Sequence, residues 1–425
     1  MRLILVNPHT HNFGKSVSGV LFGRKDFLKY EYFTKYFIKN DNREVVFFID
    51  GTRTSFNGVG LSVLFSLKIF SYIELFVWML LNKINPFKVK VYFDIKKLDP
   101  KKNILFDFSR SLVDVDDQRK LKLDQFKGIS IIHFTHYFKD VRKLSGYIKT
   151  LSNYIIAAEN DLTKNEYFRY FFPFVKNVYQ LPFAFGVRFT PRTDYDSRVN
   201  KCLALGSITR IKNKEFLDFF KDAEGLHPMR KAIYDQAATY KNELDSLIKG
   251  FNDMANARKI SSDDSWMSRL AKEYLPFFIL EKFYPTAQIN YFKFDIVDKF
   301  NHYKMFICSE ESVGLPSINV FEGMACKCAY IGIEDPMYTH IGLIPGVHYV
   351  VYKKDDLEDL ILKIRYYQSH PDELEEIAEK GYDFVKRNFS REKVAEVFWR
   401  DLEMISKEFS KNNQVIPVCN FKNGL

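Results

Sequence analysis

Apolar residues along this chain come in short solid blocks rather than in strict alternation. "RLILV" (residues 2–6), "EVVFFID" (44–50), "VKVYF" (89–93), "NILFDF" (103–108), "GISIIHFTH" (128–136) and "NYIIAAEN" (153–160) are brief, rich in β-branched and aromatic residues, and closed by polar ones. That is the pattern of strands covered on both faces. Longer helix-like segments separate several of them, and the alternation predicts a parallel sheet with helices on its faces. In such sheets ligands bind beyond the carboxyl ends of the strands. The residues just past the blocks are therefore candidates: His9, His11, Arg53, His133, His136 and Glu159.

The rhythm breaks at "QLPFAFGVRFTPRTDYDSRVNK" (180–201), which has two Pro and little helical periodicity and reads as a linker. "CLALGSITRIKNKEF", "INYFKF", "MFICSE", "CAYIGI" and "HYVVY" then predict a second sheet. A run of amphipathic helices follows, with Asp and Ser-Arg-Glu starts that suit N-caps. The division is a first α/β domain over 1–185, a linker over 186–200, a second α/β domain over 201–395, a returning helix over 396–410 and a loose polar tail over 411–425.

The most apolar stretch, residues 60–86, is nearly long enough to span a bilayer, but Lys68 and Glu74 interrupt it. It reads as a helix packed in or near a core, or as one lying on a membrane surface, rather than as a span. The N-terminal apolar run is too short for a secretory leader.

Composition narrows the classes. With 425 residues, 46% hydrophobic and 27% charged, the chain is globular and long enough for two or three domains, and 42 Phe with 25 Tyr predict large aromatic cores. The net charge of +10 suits anionic small molecules, nucleic acid or anionic lipid. The basic residues are interleaved with acids, and no zinc-finger spacing, basic-region helix or RNA-binding aromatic signature appears, so nucleic acid is not expected. The five Cys are odd in number and form no CxxC pair, which predicts reduced thiols and a cytoplasmic protein. Cys326 and Cys328 read as packing residues rather than metal ligands.

Two stretches carry candidate chemistry. In "SEESVGLPSINVFEGMACKCAYIG" (309–332), Gly314 permits a tight turn, Pro316 stops the preceding strand and Ser317 can cap a helix starting at Ile318. The free N–H groups there suit a phosphate or a sugar carboxylate. Glu322 faces either a ribose hydroxyl or solvent. In "EGLHPMRKAIYDQ" (224–236), Pro228 fits the first position of a helix, with His227 and Arg230 beside it. An ordinary Pro-started helix with a surface His remains the alternative.

An acid (Glu311), a Gly314-Leu315-Pro316 turn, then Glu322-Gly323-Met324-Ala325-Cys326-Lys327 and a strand resemble the C-terminal donor-binding domain of GT-B glycosyltransferases. The likeness runs from about residue 201 to 405 and holds by topology alone before that. It implies two Rossmann-like domains facing across a cleft, with C-terminal helices crossing back. It also implies nucleotide-sugar contacts from Ser207, Arg210, Lys212, His227, Arg230, Glu311, Ser312, Gly314, Ser317, Asn319 and Glu322, and acceptor contacts from the first-domain strand ends. The chain departs from the family in two ways. Ten residues rather than seven separate Glu311 from Glu322, so that Asn319 stands at the usual spacing, and Lys327 replaces the usual Gly.

With the His-Pro pair added, the chain resembles the bacterial retaining β-Kdo transferases (glycosyltransferase family 99). That resemblance implies transfer of Kdo from CMP-Kdo to an oligosaccharide or lipid-linked glycan in lipopolysaccharide O-antigen or capsule synthesis, with peripheral contact at the inner membrane. A retaining displacement needs an ionised carboxylate as nucleophile and a second group to exchange protons with the acceptor. The family's nucleophile falls on Asp235 or Ala232 and its second acid on Glu159 or Ala158; if both fall on Ala, the copy is inactivated. Two other readings stay open, a hexosyltransferase using a UDP- or GDP-sugar and a catalytically dead carbohydrate-binding scaffold. No metal or other cofactor is implied, since basic groups and helix N-termini can stabilise the leaving phosphate.

Overall fold

The structure is a computed structural model. It describes residues 1–10, 13–22, 29–38, 44–51, 68–108, 123–134, 137–176, 178–208, 213–221, 225–250, 265–266 and 294–412. The apolar blocks of the first half pair into one seven-stranded sheet: β1 (Arg2–Val6), β2 (Val45–Phe48), β3 (Val91–Tyr92), β4 (Asn103–Phe108), β5 (Ile129–His133), β6 (Tyr154–Ala158) and β7 (Val178–Gln180). Their order is β3-β2-β1-β4-β5-β6-β7 and every pairing is parallel. All six residues of β4 are buried, as a strand covered on both faces requires.

The second sheet holds β8 (Val199–Ser207), β9 (Leu244–Lys249), β10 (Tyr303–Ile307), β11 (Ala329–Ile333) and β12 (Val350–Tyr352), all parallel, in the order β12-β11-β10-β8-β9. Of the expected strand "INYFKF", residues 289–293 lie outside the described residues. Strand order reverses between β1 and β4 in one sheet and between β8 and β10 in the other, and each reversal opens a crevice at the carboxyl ends.

Six helices matter for the site and its surroundings: α1 (Lys68–Leu81), α2 (Pro228–Gln236), α3 (Ile318–Ala325), α4 (Leu357–Ser369), α5 (Pro371–Asn388) and α6 (Arg391–Asn412). The expected Asp and Ser starts are present. Asp356 accepts from the Asp359 N–H at 3.0 Å at the head of α4, and Ser390 Oγ from the Lys393 N–H at 3.2 Å at the head of α6. α1 buries Leu75, Trp78 and Met79 against the first sheet, with the Trp78 ring 5.9 Å from Phe47 of β2. α6 packs against the first half of the chain. Phe398 and Trp399 lie 5.0 and 4.9 Å from Phe33 and Phe37, and Tyr179 Oη donates to Asp401 at 2.9 Å.

One hydrophobic cluster includes residues of both sheets and of α6, which fixes the crevices relative to each other. The segment between the sheets is fastened too. Arg198 donates to the carbonyls of Thr193, Phe300, Cys326 and Lys327. Lys327, in place of the usual Gly, holds a left-handed φ of 55° and is tied by its Nζ to Glu375 at 2.9 Å and to Glu379. Cys202, Cys308, Cys326 and Cys328 are buried and unbridged. Among the described residues, no helix is long and apolar enough to cross a membrane.

Candidate functional site

The crevice of the second sheet is spanned by one guanidinium. Arg230 donates through Nη1 to the Ser207 carbonyl at the end of β8 (3.1 Å) and through Nη2 to the Ser309 carbonyl just past β10 (3.0 Å). The close approach needs Gly206, whose φ is +133° and where a Cβ would stand 2.5 Å from Arg230 Nε. Arg230 therefore positions the two strand ends.

Ser312 ties the turn to the head of α2, since its N–H and its Oγ both donate to the Leu226 carbonyl (2.9 and 3.1 Å). This brings buried His227 beside Glu311, with Nε2 3.8 Å from Oε1. Burial and the neighbouring Arg230 lower the His227 pKa against the pull of Glu311, so the imidazole is neutral at neutral pH. Its Nδ1 has no hydrogen-bond partner among the described residues.

The Gly-Leu-Pro turn is clasped by the first domain. Tyr137 Oη donates to the Val313 carbonyl (3.0 Å) and Asn160 Nδ2 to the Gly314 carbonyl (2.8 Å). Gly314 has a φ of +76°, and a Cβ there would meet Asn165 Nδ2 at 2.6 Å. Ser317 caps α3 as expected, accepting from the Asn319 N–H at 3.3 Å. One turn along, Glu322 is half-buried; burial pushes its carboxyl up to about 8, against the charges of Arg188, Lys29 and Arg391.

On the opposite rim, Glu159 follows β6 directly and is buried. Its Oε1 accepts from Tyr30 Oη at 3.0 Å and lies 4.0 Å from His133 Nε2, which is 3.2 Å from the same hydroxyl. Its Oε2 has no partner among the described residues. Burial raises the Glu159 carboxyl to about 7, with Lys29 opposing, and burial together with Lys29 drives His133 down to about 3. Lys29 acts on both Glu159 and Glu322, and Glu311 raises Glu159 further, so the three acids share one electrostatic environment between the sheets.

The remaining expected residues are placed as follows. Ala158 is buried in a core cluster that joins first-domain residues to Leu226, Val313 and Leu315 of the second domain. Ala232 packs half-buried against the main core. Asp235 is exposed and paired with Lys231 at 2.6 Å, about two turns along α2 from His227. His9 is buried against α1, 3.1 Å from Ser71 Oγ and 4.0 Å from Glu74. His11, Arg53, His136, Arg210 and Lys212 lie outside the described residues.

Asn160 lies just past a strand block, where ligand contacts are expected. Sequence reading did not single out Tyr30, Lys29, Tyr137 or Arg391. Each comes from a loop or helix far from its partner along the chain, and no local pattern marks it. It also passed over Glu310, whose Oε1 accepts from Tyr330 (3.0 Å) and Tyr338 (3.3 Å) and whose Oε2 accepts from Tyr352 (3.3 Å). Of the two adjacent acids, Glu310 is therefore the one fixed under β11 and β12.

Comparisons with solved structures address the architecture. Sucrose-phosphate synthase (tll1590) from Thermosynechococcus elongatus superposes with a TM-score of 0.50 at 11% identity, over 96% of this chain and 100% of that one. The chain has the GT-B fold. HepE (Alr3699) of Anabaena in complex with UDP gives 0.48 at 9% identity over 95% and 99% of the two chains. A glycosyltransferase from Rickettsia africae ESF-5 gives 0.47 at 14% identity over 97% and 99%. Residues 269–399 match a family model described as "Glycosyl transferase-like", a segment that contains the Gly-Leu-Pro turn, α3 and β11. No curated protein sequence matches the chain.

Proposed function

We propose that the protein transfers a sugar from a nucleotide-linked donor, seated at the carboxyl ends of the second sheet, to a saccharide or lipid-linked glycan acceptor. Glu159 is the group that exchanges a proton with the acceptor hydroxyl. One observation carries this reading: a buried carboxylate with an unpartnered oxygen, poised near 7, on the rim facing the glycosyltransferase-like turn. A proton-exchanging group works best with a pKa near the operating pH. Tyr30 and neutral His133 orient the carboxylate, and the head of α3 with the neutral His227 ring is offered to the donor phosphate or ribose. The reading needs no metal, because basic groups and helix N–H groups take up the charge that develops on the leaving phosphate.

The donor in this proposal is CMP-Kdo, on the strength of the His227-Pro228 pair and the altered Glu spacing. Asp235, exposed and ion-paired, is given no part in the reaction. A second reading is a hexosyl donor carried on UDP or GDP, since the "Glycosyl transferase-like" match over residues 269–399 fits either donor. Melting temperatures with CMP, UDP and GDP, followed by product formation from the matching donor, separate them. A shift with CMP and turnover of CMP-Kdo is expected. A shift with UDP or GDP alone overturns the Kdo donor, and no shift with any nucleotide leaves a carbohydrate-binding scaffold.

A further inference from the structure

The outer face of α1 has no role in the site just described. Its inner face is buried, yet Ile69, Ile73, Phe76 and Leu80 stand 60, 53, 46 and 55% exposed. Their spacing puts them in one stripe along the helix. Two more large apolar side chains are exposed past the helix end. Phe87 in the following turn is 93% exposed, and Phe93, 57% exposed, lies with its ring 4.8 Å from Tyr72 of α1. Single exposed apolar residues are ordinary, but four in one helical stripe with Phe93 packed beside them mark an interaction surface.

Charge says what covers it. Residues 83–102 hold seven lysines against two aspartates. The lysines are all exposed; the two aspartates are exposed too, Asp94 accepting from the Lys96 N–H and Asp99 from the Lys101 N–H, and seven lysines against two aspartates leave the segment with a net charge of +5. A second copy of the chain docked symmetrically would set this basic patch against itself. An apolar helical face bordered by exposed lysines suits an anionic bilayer surface, where the side chains enter the headgroup boundary and the ammonium groups meet lipid phosphates.

We infer that α1 and the 83–102 segment form a docking surface for an anionic lipid bilayer, with α1 lying in the plane of the interface. The buried side of α1 touches His9, just past the carboxyl end of β1, so the docking surface belongs to the domain that carries His133 and Glu159. This inference rests on the surface alone and not on the transferase reading.

The test is co-sedimentation of the full chain with vesicles of phosphatidylglycerol and phosphatidylethanolamine, and with vesicles of phosphatidylcholine. The protein is expected to pellet with the anionic vesicles and about tenfold less with the neutral ones, and to be released by salt. The pair Ile73→Asp and Phe76→Asp should lower pelleting about tenfold or more without lowering the melting temperature, since both side chains are exposed. Changing Lys88, Lys90, Lys96 and Lys97 to Glu should abolish the preference for anionic lipid. Leu362→Asp, at an equally exposed apolar position on α4, should change nothing. No pelleting of the parent protein, or undiminished pelleting of the Asp pair, overturns the inference. So does a parent dimer in light scattering that the Asp pair converts to monomer, since that assigns the face to a second copy.

Discussion

The two rims of the cleft hold their polar groups in different states. On the second-sheet rim, Arg230, Ser312 and Gly314 are engaged with backbone carbonyls or side-chain amides, and Gly206 is bare so that Arg230 can reach through. On the first-sheet rim, Glu159 is buried with one oxygen unpartnered and a carboxyl raised to about 7. Satisfied groups define a shape, whereas a desolvated acid retains a proton affinity close to the working pH. The contrast is one of degree, since the second-sheet rim also holds Glu322, raised to about 8, and an unpartnered His227 Nδ1; in the proposed reaction the first rim supplies the proton chemistry and the second the donor geometry.

The strongest way to break that division is Glu159→Gln, which keeps an acceptor for Tyr30 and removes the proton exchange. Turnover should fall about 10²–10⁴-fold with nucleotide binding unchanged, measured by product formation and by nucleotide titration. Arg230→Met should do the reverse of a purely chemical lesion. It strands two carbonyls, costs about 3 kcal/mol in denaturant unfolding, and weakens nucleotide binding without moving the pH optimum.

Acidity sharpens the contrast further. The Glu159 and Glu322 carboxyls are raised to about 7 and about 8, so the folded state holds their protons more tightly than the unfolded chain does. Their contribution to stability is therefore full below pH 4.5 and is lost as pH rises through 7 to 8. Glu322→Gln should flatten that fall in melting temperature between pH 6 and 8. Gly314→Ala, at a φ of +76° and against Asn165, should cost about 1–2 kcal/mol in the same unfolding assay. Asp235→Asn removes an exposed i,i+4 pair, so unfolding should move by no more than about 0.5 kcal/mol and turnover should stay as it was.

Much of the fold was legible because parallel strands leave solid apolar blocks. The strands that escaped are those that leave weaker ones. β7 has three residues beside the linker, and β9, at a sheet edge, interleaves Asp245, Ser246 and Lys249 with its apolar residues. In the site, the Gly-Leu-Pro turn and the strand-end position of Glu159 could be read because backbone demands fix them locally. Partners supplied from a distance could not: Tyr30 reaches Glu159 across 129 positions of chain, and Arg391 reaches Glu31 across 360. Position also misled with His9, which follows β1 as expected but turns against α1. The loss of the usual Gly at 327 has a local account, since Lys327 keeps the left-handed backbone and is held by two acids of α5.

The central claim is that Glu159 handles the proton. Its most direct test is kcat/KM against pH from 5 to 9, for the parent protein and Glu159→Gln, with the nucleotide sugar that turns over. The parent should show an acid limb near pH 7 and the variant a low, flat profile. A variant that keeps both the limb and the parent's rate would contradict that claim.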